Sequence, residues 1–392
     1  MIQRGFGLYR RVLIAVFCLS FSSGQAFADS ALENVTIRSE QTSDITNAFT
    51  PRPTSNLTID YNRLTGVLGE AVLYMGHSTR NRAARRKRTG TRMPDRIDTK
   101  YRMEGNKVLY PYFSAEISRN IVILNREMLS IAQQVDITTL SRDQQLAFWI
   151  NLHNLRVIGE IDAHYPGPAR NIFGIKPLER SKADLHSAQL FHINGVPLSL
   201  RDIREKIVLA HWNVPDIAFA FHLGHMSGPS MRHRAYEAAR VQEQIRDNAE
   251  EYVNALRGYE NGRINPYFKE VAPHVFPDFE RDIRRYFTKR MWPETLAEFN
   301  EHGIKRTHRL DRAPADITHG KGQTFTQEMR ATTTLFQAAP AYDGPRSSGM
   351  ILNPYVDQFI RERDSKLETL RRQSEARKGT VIIVDETQPP QE

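Results

Sequence analysis

The sequence predicts an α+β fold, a mostly helical domain packed around a small β-sheet, followed by a helical and partly disordered C-terminal extension. Three observations predict it. Long stretches place apolar residues three and four apart, the spacing of one helix face. Between about 171 and 200 the pattern shortens to strand-length runs bounded by Gly, Pro and Asn. Composition is that of a globular chain, 40% hydrophobic and 25% charged over 392 residues, and no internal repeat is visible.

The N-terminus comes first. Arg4, Arg10 and Arg11 precede any acid, an apolar run follows from Val12 to Phe21, and Ala26-Phe27-Ala28 gives a small-x-small site. That is the pattern of a secretory signal peptide over 1–28. The run is about half the roughly 20 residues needed to span a bilayer. Phe17 stands before Cys18, where lipid attachment would want a small residue. Cys18 is the only cysteine of the chain. Cleavage after Ala28 therefore leaves an exported chain, periplasmic or secreted, with no disulfide, no thiol nucleophile and no thiolate ligand. Removal also takes three arginines and no acid, reducing the net charge from +9 to +6.

Residues 29–54 are polar and end in "TPRPTSN", which predicts a flexible lead-in. Leu57 to Met75 predicts a helix, with Leu64, Val67, Leu68, Ala71 and Val72 on one face. "EGNKVLYPYF" predicts a turn and a short extended piece, and Ile117 to Val135 another helix. The strongest helix signal is "SRDQQLAFWINLHNLRVIGEIDAHYP": Ser141 caps, Gln144 completes a capping box, and Pro166 ends the run. Its apolar residues fall on nearly every side, the mark of a core helix. Asn151, His153 and Asn154 within it must therefore satisfy backbone groups or line a polar cleft, because buried polar groups need partners.

"NIFGIKPL", "AQLFHI" and "VPLSL" predict short strands, with a hairpin at Asn194-Gly195. "SLRDIREKIVLAHW" returns to helix, capped by Ser199; "DIAFAFHLG" predicts a buried strand. "MRHRAYEAARVQEQIRDNAEEYVNALRG" predicts a long amphipathic helix stopped by Gly258. Phe279 to Phe299 continues in helices broken at Pro293. Residues 301–392 form the extension, in which "PYVDQFIRERDSKLETLRRQSEARKG" predicts a charged helix and "TVIIVDE" an edge strand or part of a disordered tail.

Charge and chemistry narrow the function. "RNRAARRKRTGTR" contains seven cations and no anion: Arg80, Arg82, Arg85, Arg86, Lys87, Arg88 and Arg92. In an exported protein this loop suits an anionic envelope surface or acidic polymer rather than nucleic acid. The stretch "FAFHLGHMSGPSMR", residues 219–232, crowds His222, His225, Ser227 and Ser230 into a glycine-rich turn. A serine with a histidine base would make a hydrolase, with Asp202 or Glu205 as the orienting acid. No G-x-S-x-G elbow surrounds either serine. His153, His211, His222, His225 and His233 could supply ligands to a metal-assisted hydrolase, but His-x-x-His alone is a weak pattern and no metal or other cofactor is expected.

Three motifs, "QQLAFWINLHNLRVI", "VPLSLRDIREKIV" and "IAFAFHLGHMSGPSMRHRAY", in that order and spacing, resemble the domain-of-unknown-function 547 family. That family's motifs read AFWINxYN, LSLDDIEHxIL and FALNCAxxxCPxL. The resemblance implies a domain within 55–300, in a family of bacterial exported and eukaryotic multidomain proteins whose activity is unassigned. The departures are informative. Leu223 and Gly228 stand where the family has cysteines, His222 where it has Asn, and Glu205 where it has His. Asn151, Asn154 and Asp202 are kept, and His153 replaces an aromatic. A thiolate mechanism needs a sulfur and a base, and neither stands at the matching positions. The leading expectation is thus a non-thiol, non-catalytic envelope binding or scaffold protein. The alternatives are a hydrolase using Ser227 or Ser230 with His222 or His225, and a metal-assisted hydrolase.

Overall fold

The computed structural model describes residues 44–83, 100–164, 185–317 and 354–378. The chain divides into Met1–Asp44 and Ile45–Glu392, and the elements named below all lie in the second unit. The proposed signal peptide, the residues 171–178 expected as strand, and the "TVIIVDE" segment fall outside the described residues.

Helix α3, Arg142–Ala163, is the axis of the fold. Phe148, Trp149, Ile150, Leu152, Leu155, Val157, Ile158 and Ile161 are all buried, covering every side of the helix. Each large side chain so buried contributes about 1.5–3 kcal/mol. Ser141 Oγ accepts from Gln144 N at 3.3 Å, as the cap requires. The Gln144 side chain does not close the capping box; its Oε1 accepts from Ile59 N at 3.3 Å instead. Helix α2, Ala115–Gln134, is capped by Ser114 and packs along α3 through Ile117, Ile121, Leu124 and Met128. Helix α1, Asn62–Ala71, buries Leu64, Val67, Leu68 and Ala71 and passes directly into strand β1, Val72–Leu73.

Strand β1 pairs antiparallel with β2, Lys107–Val108. Strands β3, Gln189–Ile193, and β4, Val196–Ser199, form the expected hairpin. Asn194 and Gly195 have φ of 53° and 77°, the two left-handed residues that a type I′ turn demands. A π-helical stretch, Asp202–Val208, follows and continues as α4, Leu209–His211. After α5, Pro215–Ala218, an irregular stretch leads to α6, Val241–Asn254. Strands β5, Tyr259–Glu260, β6, Arg263–Ile264, and β7, Arg306–Thr307, make a three-stranded sheet. Helices α7, Pro266–Val275, α8, Phe279–Arg290, and α9, Pro293–His302, lie between β6 and β7. Helix α10, Pro354–Lys378, completes the described chain. The fold is the expected mostly helical α+β, and among the described residues its strands form three small sheets.

Four expectations need correction. "DIAFAFHLG" is not a strand: α5 ends at Ala218 and residues 219–224 run as turn and coil. The run is apolar because it is wholly buried, and a short apolar run does not distinguish a strand from a buried turn. The long helix expected from Met231 begins only at a 3₁₀ turn, Ala238–Arg240. The lead-in is ordered from residue 45 on: Phe49 is buried edge-on against Trp149 at 5.4 Å, and Arg52 N donates to Thr138 O. The first part of the extension is bonded into the fold, since Met226 N donates to Ala313 O and Val108 N to Ala315 O.

Gly258 ends the α6 region for a steric reason. A Cβ there would lie 2.0 Å from Tyr252 O, a contact that only a backbone shift relieves. A Gly258→Ala exchange is expected to cost more than about 3 kcal/mol, on the scale of overpacked cores, read as a lowered urea midpoint with unchanged slope.

Candidate functional site

The segment 218–237 is largely buried yet belongs to neither a sheet nor a long helix. Its backbone N–H and C=O groups therefore need partners from elsewhere, and polar side chains provide them one at a time. Asn154 Nδ2 donates to Ala220 O at 2.9 Å, and its Oδ1 accepts from His222 N at 2.8 Å. One turn away on α3, Asn151 Nδ2 donates to Tyr236 O at 2.8 Å while Oδ1 accepts from Tyr236 N at 2.9 Å. Each amide engages the chain as a neighbouring strand would. Other elements do the same: Asn248 Nδ2 donates to Phe219 O, Tyr267 Oη to Ala218 O, and Gln244 Nε2 to Ala235 O. Asn265 Nδ2 and Tyr252 Oη both donate to Ser227 O. Asn151 and Asn154 of the first motif are thus clamps on the third.

The histidines are packed against the same segment. His153 Nδ1 donates to Asn154 Oδ1 at 3.0 Å, and its ring meets Phe221 edge-on at 4.8 Å and stacks with His186 at 6.0 Å. His222 Nδ1 donates to Pro229 O at 3.0 Å, closing the turn on itself. With Nδ1 carrying the proton, Nε2 of His153 and of His222 is a buried lone pair with no partner among the described residues. Burial pushes both imidazoles down, His153 well below its ordinary value and His222 to about 4. His225, half-buried, is likewise pushed down to about 4 by burial, and bridges Pro314.

The serines are committed. Ser227 Oγ accepts from Asp311 N at 2.7 Å. Ser230 Oγ donates to Glu251 Oε2 at 2.9 Å and accepts from Arg257 Nη2 at 3.0 Å and Asn106 N at 3.3 Å. Neither hydroxyl bonds an imidazole. The acids suggested as orienting groups lie on another element. Asp202 Oδ2 accepts from Ser199 N and Oγ while Ser199 Oγ accepts from Asp202 N, a reciprocal cap, and Asp202 also pairs with Lys206. Partial burial alone would raise its carboxyl, but these bonds outweigh that and hold it low. Glu205 pairs with Arg204 at 2.6 Å. Asn151, His153, Asn154, His222 and the two serines therefore gather on one segment, and Asp202 and Glu205 do not join them. Among the described residues no group of three or more His, Cys, Asp or Glu could hold a metal.

Residues 137–253 match a family model, and the matched span contains all three motifs and both clamping asparagines. The family is the one described as protein of unknown function, DUF547, and the match supports the resemblance carried by the three motifs. The match is narrower than the 55–300 domain expected. It stops short of Asn265, Arg257 and the segment 311–316, which also hold the third motif. No curated protein and no solved structure matches the chain. At the DUF547 motif positions for cysteine, Leu223 is buried at 5% exposure. Gly228 is tightly packed: a Cβ there would meet Leu223 Cβ at 3.1 Å, so its neighbour would have to shift slightly.

Two of the seven cations of the basic loop have internal work. Arg80 donates to Asn254 O and pairs with Glu298 at 2.7 Å; Arg82 pairs with Glu260 at 2.7 Å. Arg80 is largely enclosed by these contacts, whereas Arg82 keeps 60% of its side chain exposed. Arg85, Arg86, Lys87, Arg88 and Arg92 lie outside the described residues.

The sequence reading missed a second polar centre. Glu104, Lys107, Glu251 and Arg257 are buried together, with Arg257 paired to Glu251 and lying 3.5 Å from Glu104. They come from the loop before β2, from β2, from α6 and from the turn after it. The available signal was the charge at Glu251, in the stripe of α6 that carries Ile245, Asn248 and Tyr252 inward.

Proposed function

We propose that the chain is an exported, non-thiol binding protein of the cell envelope, whose family segment is a rigid platform rather than a hydrolytic site. The observation that carries this reading is the commitment of both hydroxyls. Ser227 Oγ receives the Asp311 amide and Ser230 Oγ sits between Glu251 and Arg257. A nucleophile needs a competent base within hydrogen-bond reach; Ser227 Oγ bonds none among the described residues, and the carboxylate that Ser230 Oγ meets, Glu251, is held low by Arg257 and is a poor base. The N-terminal pattern supports export with loss of Cys18. No helix among the described residues is long and apolar enough to cross a membrane. The ligand-binding residues in this reading are the cations of the sequence run Arg85, Arg86, Lys87, Arg88 and Arg92, and the ligand is an anionic lipid surface.

The test combines reactivity and binding. Protein recovered from the envelope fraction, starting at Asp29 by intact mass, is expected to resist fluorophosphonate labelling at Ser227 and Ser230. It is expected to sediment with anionic phospholipid vesicles and to lose most of that association between about 50 mM and about 500 mM salt, as screening shortens. Exchange of Arg85, Arg86 and Arg88 for Gln should weaken the association at low salt. Stoichiometric labelling of either serine, or salt-independent sedimentation, contradicts the proposal.

A further inference from the structure

Helix α10 is separated from the rest of the described chain by residues 318–353, and it docks in an unusual way. Phe359 is buried, and Leu367 and Leu370 face Gly76, where an added Cβ would meet them at 2.7 and 2.8 Å. Ile360 is partly buried against the core. Several further contacts are ionic or polar. Glu362 pairs with buried Arg102 at 3.0 Å, Arg363 Nε donates to Tyr74 O at 2.7 Å, and Lys366 Nζ donates to Met103 O at 2.8 Å. Lys107, in β2, donates its own ammonium to the next carbonyl, Glu104 O. Two lysines from opposite ends of the chain therefore place their Nζ atoms on consecutive carbonyls. Both are buried, and both face the same two carboxylates, Glu104 and Glu251.

The charge count of this chamber is uneven. Lys107, Arg257 and Lys366 supply three cations against Glu104 and Glu251. Arg257 is held by both Glu251 oxygens, so Glu251 has little left for a lysine. Glu104 accepts from Ser78 Oγ at 2.6 Å and from Leu256 N at 3.2 Å. The other titratable groups facing the chamber do not redress the excess. His222 faces Lys107 and Arg257, His77 faces Glu251, and Tyr252 underlies Arg257 at 5.3 Å. On the α10 side, Arg363 and Glu251 face Tyr74, together with Arg232 and Asp247.

We propose that α10 is a proton-linked latch: Lys366 enters the chamber in competition with the ammonium form of Lys107, so that the helix docks firmly when Lys107 is neutral and loosens when Lys107 is charged. Burial, then Arg257, then Lys366 push the Lys107 amine down to about 7 while the helix is docked. Withdrawal of α10 removes both the cover and one of the competing cations, which returns Lys107 toward the ordinary lysine range near about 10.4. The sign follows. The docked form prefers the neutral amine, so docking strengthens as pH rises from about 7 and is weakest at and below it, where both forms carry the proton. Between these limits the opening equilibrium of α10 changes by up to about tenfold per pH unit.

Amide hydrogen exchange on the full chain reads this directly at residues 363–370, after correction for intrinsic rates. Between pH 7 and pH 9 the opening constant is expected to fall by about 10-fold or more, while α3 amides stay unchanged. Lys107→Met removes one of the two buried amines and is expected to leave α10 docked with a shallower profile, because burial pushes Lys366 down as well. Lys366→Met, on the peripheral helix, removes the competitor and is expected to reduce the slope even if the Lys107 variant does not fold. A flat wild-type profile overturns the proposal. So does an unchanged slope in either variant, or opening of α10 only together with α3.

Discussion

Replacing Asn154 with Ala is expected to destabilise the protein by about 2–5 kcal/mol, a loss seen as a lowered urea midpoint. The exchange strands two buried backbone groups, His222 N–H and Ala220 C=O, each costing about 1–3 kcal/mol when unsatisfied. Ala220 O keeps only a 3.4 Å contact with Tyr236 Oη. His153 also loses the acceptor of its Nδ1 proton. Asn154→Asp tests the geometry separately. It keeps the acceptor for His222 N–H but has no donor for Ala220 O, and it brings a carboxylate into a site with no cation bonded to it, so it too should destabilise. An asparagine serving only as a catalytic group would behave differently: its removal would lower turnover and leave the midpoint where it was.

The second large effect is acid lability. The fold holds His153 and His222 as neutral imidazoles because burial disfavours their charged forms. The unfolded chain takes up protons below about pH 6.5, whereas the folded chain does not until His222 reaches about 4. Unfolding therefore gains protons as pH falls, and stability is lost between about 6.5 and 4. For His222 alone the loss is about 3 kcal/mol across that window, and His153, pushed down in the same direction, adds to it. Carboxylates held low, such as Glu251 beside Arg257, contribute their loss below about 4.5 and so at the lower end. Urea unfolding at pH 7.5 and 4.5 should show the difference, and His222→Asn should show a smaller one. Identical pH profiles for the two proteins would contradict the assignment.

Much of the scaffold was legible. Ser141 and Ser199 cap where the sequence placed them, and Asn194-Gly195 turns the hairpin because both residues tolerate positive φ. The buried amides of α3 announced themselves by standing on a helix apolar all round. What could not be read was their target. Asn154 reaches 66 and 68 positions along the chain to Ala220 and His222, and no local pattern encodes such a bond. For the same reason the apolar run at Phe219–Leu223 read as a strand. Its hydrogen-bonding partners include side chains from α3 and α6 and the His186 ring rather than a neighbouring strand. The chamber beneath α10 was hidden too, because Glu104, Lys107, Glu251, Arg257 and Lys366 lie in separate segments that each look like ordinary charged stretches.

The reading rests on the third motif being fixed in place by side-chain clamps rather than free to move as a working loop. Hydrogen exchange of the His222 and Tyr236 amides measures that fixation, since their acceptors are Asn154 Oδ1 and Asn151 Oδ1. Exchange of both amides only through global unfolding, with the same free energy as the core of α3, is the expected result. Exchange through local opening, several kcal/mol below the global value, would contradict it.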